Sequence, residues 1–402
     1  MIQKDFLQEI IQQQEENQYL KEDGMLRDRL TMLPDLDHYA LIVSGIRRCG
    51  KSTLLRQLLK QKHTKVLYVN FDDPRLYDFE ISDFLKLDQL ISDAGNKVLL
   101  FDEIQVIKGW ERYVRQKLDE GLKVFVTGSN ASLLSKELGT SLTGRHITTE
   151  LFPFSYNEFC RYKNLEQDES SVRAYMASGG FPEYVKTPFD EILTNLLDDI
   201  LFRDIAVRYG IKDTRGLKRL TVYLLTNIGN LTSANKLREP SGIRSTTTIL
   251  EYISHLEQSY LLSLVPMFDY SLKKQSVNSK KIYAIDPGIV NANVSKLKVD
   301  EGHKLENMVY NFLRMRNKEI YYHKGSGECD FITIDKGSIN QAIQVCLSLD
   351  ADNRTREFNG LISAMKAYHL AEGTLVTLNQ EDEFHIDGLT IRVVPACKFL
   401  SN

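Results

Sequence analysis

The sequence predicts an α/β fold built on a parallel sheet covered by helices, and three observations predict it. Four short apolar runs, at residues 40–43, 66–71, 98–101 and 124–127, have the length and β-branched content of buried strands. Helix-period segments alternate with them. A glycine-rich turn follows the first run and leads straight into a helix pattern. At 402 residues the chain exceeds one compact core, so two or three domains are expected.

Taken in order, residues 1–35 read as a polar helical segment with Phe6, Ile10 and Ile11 as its apolar stripe. Residues 36–153 hold the strand–helix alternation. Residues 154–210 turn helical, interrupted at Gly179-Gly180-Phe181-Pro182. Residues 211–300 carry helical segments and then a two-strand wing, at 261–265 and 281–285. Residues 301–402 open on a helix at 305–316. Strand-like runs at 320–323, 329–334 and 342–346 follow, which predicts a separate small α/β domain.

Composition removes several function classes. A net charge of −3 argues against a wholly basic nucleic-acid coat and leaves room for a local basic face. No run approaches the roughly 18–20 apolar residues needed to span a bilayer. The first residues carry acids and glutamines where a signal peptide needs an apolar core. The five cysteines, 49, 160, 329, 346 and 397, are scattered without a CxxC pair. They read as small buried residues in a reducing cytoplasm, not as a disulfide framework or a zinc site.

The chemistry concentrates at the glycine-rich turn. Gly45-Ile46-Arg47-Arg48-Cys49-Gly50-Lys51-Ser52 fits G-x-x-x-x-G-K-[ST] at every fixed position, with Thr53 next in the helix. Glycines let backbone amides curl around phosphates, Lys51 neutralises oxygen charge, and the Ser52 hydroxyl ligates Mg²⁺. The helix that follows offers its N-terminal dipole to the same anion. The expected ligands are ATP and Mg²⁺. The 98–101 strand ends in Asp102 and Glu103. Asp102 is placed to hold the metal and Glu103 to polarise the attacking water. The 124–127 strand ends in Thr127-Gly128-Ser129-Asn130; Ser129 or Asn130 either contacts the γ-phosphate and water or simply caps a turn. Arg145 either reaches a neighbouring subunit's γ-phosphate or forms a surface ion pair.

At these residues the chain resembles the prokaryotic AAA-type ATPases related to archaeal and signal-transducing ATPases. The likeness rests on GIRRCGKST, VLLFDEIQ, VTGSNASLL, LTGRH with LFPFSYNEF, ASGGFPEYV, LEQSYLL, KKIYAIDPGI and LENMVYNFL followed by GECDFI. It spans nearly the whole chain. The resemblance implies an AAA module at 36–153, a helical lid at 154–210, a winged helix at 211–300 and a domain similar to PD-(D/E)xK nucleases at 301–402. It makes Arg145 an arginine finger acting in trans, implies a homo-oligomeric ring, and puts Pro182 near the nucleotide base. Against the nuclease pattern, Glu306 and Asp330 match the first two acids, but the third element reads Gln344-Val345-Cys346, with cysteine in place of the activating lysine. Loss of nuclease activity is therefore expected.

In the winged region, residues 244–256 place Arg244, Ser245 and Thr246 ahead of Ile249, Ile253 and Leu256 at helical spacing. This suits a recognition helix, with Lys273, Lys274, Lys280 and Lys281 as a basic rim for DNA. The bland alternative is subunit packing with solvated lysines. Two functions from different classes remain: a DNA-dependent motor that translocates, remodels or branch-migrates structured DNA, and an ATP-dependent switch that recruits a protein partner.

Overall fold

In the computed structural model, which describes residues 2–20, 24–34, 36–62, 66–129, 142, 144–295, 300–317 and 319–401, the chain divides into two units. The first comprises residues 1–152 with 258–260, and the second 153–257 with 261–402.

The first unit is built on five parallel strands: β1 (Ala40–Ser44), β2 (Val66–Asn70), β3 (Val98–Asp102), β4 (Lys123–Gly128) and β5 (His146–Glu150). Their order across the sheet is β2-β3-β4-β1-β5. All pairs are parallel, with Val43 beside Thr127 and Asn70 beside Asp102. The four apolar runs lie in β1 to β4, and β1 and β3 are buried along their full length because both faces are covered. The fifth strand, HITTE, escapes the apolar pattern because it is a half-exposed edge. Helices α1 (Lys4–Leu20), α2 (Lys51–Lys62), α3 (Phe84–Ala94) and α4 (Trp110–Asp119) belong to the same unit.

The N-terminal helix corrects the expected stripe. Leu7, Ile10 and Ile11 are buried whereas Phe6 is 46% exposed, because Leu7 and not Phe6 shares a helix face with Ile10, Ile11 and Gln14. The buried polar residue on that face, Gln14, pairs with the outer edge of β2: its Oε1 accepts from Asn70 N at 2.8 Å, and its Nε2 donates to Asn70 O at 3.1 Å. A side-chain amide thus supplies there what a neighbouring strand would.

The second unit begins with helices α5 (Tyr156–Lys163), α6 (Glu169–Ser178), α7 (Pro182–Lys186), α8 (Asp190–Asp198) and α9 (Thr214–Thr226). Asp286 ties this region to its own interior. Its carboxylate accepts backbone bonds from Gly180, Gly288 and Ile289, and a Cβ at Gly179 would lie 2.1 Å from its Oδ1. Next come β6 (Leu231–Thr232), α10 (Ala234–Ser241), α11 (Thr246–Gln258), β7 (Leu262–Val265), α12 (Leu272–Val277) and β8 (Lys280–Ala284). The expected two-strand wing is a three-stranded antiparallel sheet ordered β6-β8-β7. After α13 (Pro287–Asn293) and α14 (Glu301–Arg316), strands β9 (Glu319–Lys324), β10 (Glu328–Asp335), β11 (Ser338–Val345), β12 (Glu372–Thr377), β13 (Asp382–Ile386) and β14 (Leu389–Pro395) form a mixed sheet. Helix α15 (Arg354–Tyr368) packs on one face of that sheet through Phe358, Leu361 and Met365.

Candidate functional site

The glycine-rich turn sits between β1 and α2, at the end of the sheet where parallel α/β folds place their ligands. Gly45 has φ 152°, and a Cβ there would lie 2.2 Å from Leu151 O, so no other residue fits. Arg48 (φ 61°) and Gly50 (φ 101°) continue the left-handed path around the turn. Arg27 braces it from outside, its Nη1 donating to Cys49 O at 2.9 Å and its Nη2 to Phe152 O at 2.8 Å. The Lys51 ammonium donates to Gly45 O and Ile46 O, each at 3.1 Å, and lies 3.8 Å from Glu103 Oε1. Ser52 and Thr53 are half-buried at the start of α2. Arg47 lies 3.6 Å from Asp72. Cys49 is buried, and burial pushes its thiol up, away from reactivity.

Asp102 and Glu103 stand beside this turn at the end of β3. The Asp102 carboxylate accepts from Tyr68 Oη at 2.8 Å and from the Thr127 hydroxyl, with Ser52 beside it. Burial above all, and then the charge of Glu103, hold its carboxyl above the ordinary value despite these bonds. A buried carboxylate short of counter-charge, next to a serine hydroxyl, is a hard oxygen set of the kind Mg²⁺ takes, so these residues fit the metal. Glu103 has φ 52°, and its amide donates to Thr127 Oγ1 at 3.0 Å. One threonine therefore fixes both acids. Gln105 Nε2 donates to Glu103 Oε2.

Ser129 is buried just past β4, at the same end of the sheet; Asn130 lies outside the described residues. Arg145 is placed differently. It precedes β5, and β5 starts beside the start of β1, since His146 pairs with Ala40. The five-residue strand puts Arg145 roughly 16 Å along the sheet from the phosphate turn. It is 46% exposed and pairs with Asp119. Pro182 is the first residue of α7, in the second unit.

Of the residues expected to face DNA, Arg244 and Ser245 are exposed ahead of α11 and Thr246 is half-buried. Ile249, Ile253 and Leu256 are buried along α11. Lys273 and Lys274 are exposed on α12, with Lys274 lying 3.6 Å from Asp269. Lys281 is not part of a basic rim. It is 3% exposed, and its ammonium meets Asp330 at 2.7 Å, Glu328 at 3.1 Å and Glu306 at 3.2 Å. Alternation along β8 turns it inward where Lys280 stays half-exposed. Burial works against its charge, yet Asp330 and Glu306 hold it well above the ordinary lysine value.

The structure does bring Glu306, Asp330 and Gln344 together. Asp330 N donates to Gln344 Oε1 at 3.2 Å, Gln344 Nε2 donates to Glu357 Oε2 at 2.7 Å, and Tyr283 Oη donates to Glu306 Oε1 at 2.5 Å. They line a cleft of about 1380 Å³ in the second unit. Burial first and Asp330 second push the Glu306 carboxyl up against the pull of Lys281. A lysine thus stands among these acids in space, although β11, which carries Gln344 and ends just before Cys346, has none there. Among the described residues no group of three or more His, Cys, Asp or Glu is arranged to hold a metal ion.

Three residues escaped the sequence reading: Arg27, Tyr68 and Thr127. Thr127 had a signal, as the polar end of an apolar strand. Tyr68 reads as an ordinary strand aromatic, and Arg27 acts across more than twenty residues of chain.

A family model described as an AAA domain matches residues 37–160, and one described as a domain of unknown function matches residues 169–300. An uncharacterised protein of Methanocaldococcus jannaschii is 34% identical, over 85% of this chain and 82% of that one. An uncharacterised protein of Haemophilus influenzae is 30% identical, over 90% of this chain and 94% of that one. A solved STAND signal-transduction ATPase with a tetratricopeptide repeat sensor, from Pyrococcus horikoshii, aligns with a TM-score of 0.28 and 12% identity, over 74% of this chain and 47% of that one. No helix among the described residues is long and apolar enough to cross a membrane.

Proposed function

Because this chain belongs to the prokaryotic AAA-type ATPases, we propose that it hydrolyses ATP with Mg²⁺ and works as a homo-oligomer on DNA. The convergence of Lys51, Asp102 and Glu103 on one turn carries the ATPase reading. Residues 45–53 wrap the phosphates, and Lys51 exchanges its bonds to the Gly45 and Ile46 carbonyls for phosphate oxygens. Ser52 and Asp102 would hold the metal, which would supply positive charge against the phosphates. Glu103 orients and polarises the attacking water. Ser129 faces the same end of the sheet and is assigned to the γ-phosphate.

The exposed cations Arg244, Lys273 and Lys274 and the hydroxyls of Ser245 and Thr246 support the DNA reading. A second reading, recruitment of a protein partner by a nucleotide-dependent switch, is favoured by Tyr270, Leu272 and Val277, which are 87%, 78% and 77% exposed around α12. ATP turnover measured with single-stranded, duplex and branched DNA separates the two. The motor is expected to be stimulated by DNA, with a stimulation that falls steeply between low and physiological salt. Slow turnover indifferent to DNA points to the switch. Nuclease activity is not expected, because Gln344 and Cys346 stand where the pattern needs an acid and the activating lysine.

Arg145 is read as the finger supplied to a neighbouring subunit, since it stands exposed and away from its own phosphate turn. Arg145→Ala is expected to keep nucleotide binding and lose about 10³-fold in turnover. Mixing it with Lys51→Ala subunits, themselves unable to bind, is expected to restore part of the activity. A mixture as inactive as its parts excludes action in trans.

A further inference from the structure

The acid assigned to the metal, Asp102, is held by a tyrosine that also belongs to the surface where the N-terminal helix docks. Tyr68 lies on the edge strand β2 with its hydroxyl turned inward, donating to Asp102 Oδ2 at 2.8 Å. Both residues are buried, 7% and 4% exposed. With Thr127 on the other carboxylate oxygen, Tyr68 fixes the rotation of the group about its own bond. That rotation decides which lone pair faces a cation.

Helix α1 grips the same strand through three residues on two successive turns. Gln14 pairs with the amide and carbonyl of Asn70. Glu15 Oε1 accepts from Tyr68 N at 3.3 Å, and burial pushes the Glu15 carboxyl up. Gln18 touches the Tyr68 hydroxyl and accepts from Arg56 Nη1, on α2, at 2.8 Å. Gln18 therefore joins α1 to α2 beside the tyrosine that holds Asp102.

We propose that Tyr68 is a positioning residue for the metal acid, and that docking of α1 sets its hydroxyl, so that the N-terminal helix governs how strongly Mg²⁺ tightens nucleotide binding. This deepens the ATPase reading and rests on its assignment of Asp102. The coupling is local in structure: Asp102 pairs with Asn70 across the sheet, and Phe71 N donates to Asp102 O at 3.0 Å. Movement of β2 therefore carries to the backbone of the acid as well as to its side chain. An intact α1 gives the carboxylate one orientation. A displaced α1 frees the tyrosine, and the carboxylate then has to be ordered by the metal at its own cost in affinity.

The test uses the full chain and a fluorescent ATP analogue, titrated with Mg²⁺ present and with Mg²⁺ chelated. Tyr68→Phe keeps the ring and removes the bond to Asp102. It is expected to leave metal-free affinity unchanged and to cut the Mg²⁺-dependent gain about tenfold, the worth of one hydrogen bond to a charged group. Gln18→Leu, which leaves the Tyr68 bond to Asp102 in place and removes the α1 contact at the hydroxyl together with the bond from Arg56, is expected to shift the gain the same way by a smaller factor. Equal loss with and without the metal would mark Tyr68 as structural and overturn the inference. So would an unchanged gain in Tyr68→Phe, or Gln18→Leu behaving as wild type. Should Tyr68→Phe fail to fold, Gln18→Leu decides on the same criterion. Failure of the underlying reading shows differently, as no nucleotide affinity in the unmutated chain, and it overturns both.

Discussion

Glu103→Gln is expected to retain ATP and to lose about a hundredfold or more in turnover, as when a general base is removed. The geometry makes this substitution specific. Glutamine is isosteric, and the left-handed backbone at Glu103 is fixed by the bond from its amide to Thr127, which the side chain does not make. What is lost is the carboxylate charge that polarises water. Lys51→Ala differs in kind, because the ammonium both meets phosphate and ties the turn through the Gly45 and Ile46 carbonyls. That variant is expected to lose nucleotide binding itself. Phosphate release and nucleotide titration, run on both variants, separate base from binder. Normal turnover in Glu103→Gln would move the base elsewhere.

Lys281→Met is expected to destabilise the second unit by about 3–5 kcal/mol, as when one partner of a buried ionic network is removed. The carboxylates of Glu306 and Asp330 would be left facing each other at 7% and 8% side-chain exposure with no cation between them. The triple variant Lys281→Met, Glu306→Gln, Asp330→Asn is expected to recover much of the loss, because it removes the stranded charges together. Two units need not unfold together, so a single global transition is a poor readout. Amide hydrogen exchange across β8 and β10 reports the second unit. The chain's one tryptophan, Trp110, sits buried in the first unit and serves as an internal control. Unaltered exchange in the single variant would show that Lys281 is held without being needed.

The same lysine shows where reading the sequence stops. The candidate nucleotide site was legible as an arrangement because its parts are local: a turn of eight residues, and two acids at the tip of an apolar strand. Strands β1 to β4 were legible because burial on both faces leaves an unbroken apolar run. Strand β5 was not, since an edge strand has one wet face and no such run. Lys281 sits in a pair of lysines, which locally reads as solvated; its partners stand 25 and 49 residues away. The three acidic and amide residues of the C-terminal cleft were found through a family pattern, and the lysine among them comes from another strand. Tyr68 and Gln14 were missed for the same reason. Each acts on a group that only tertiary folding brings near.

Gln14 has one more consequence. By answering both polar groups of Asn70, it leaves the rim of the five-stranded sheet closed at that point to any strand from another copy. A chain that began after residue 20 would present β2 as an open ladder of donors and acceptors. Its failure would then be seen first as clumping through mutual zippering of those rims, before any change in chemistry could be measured.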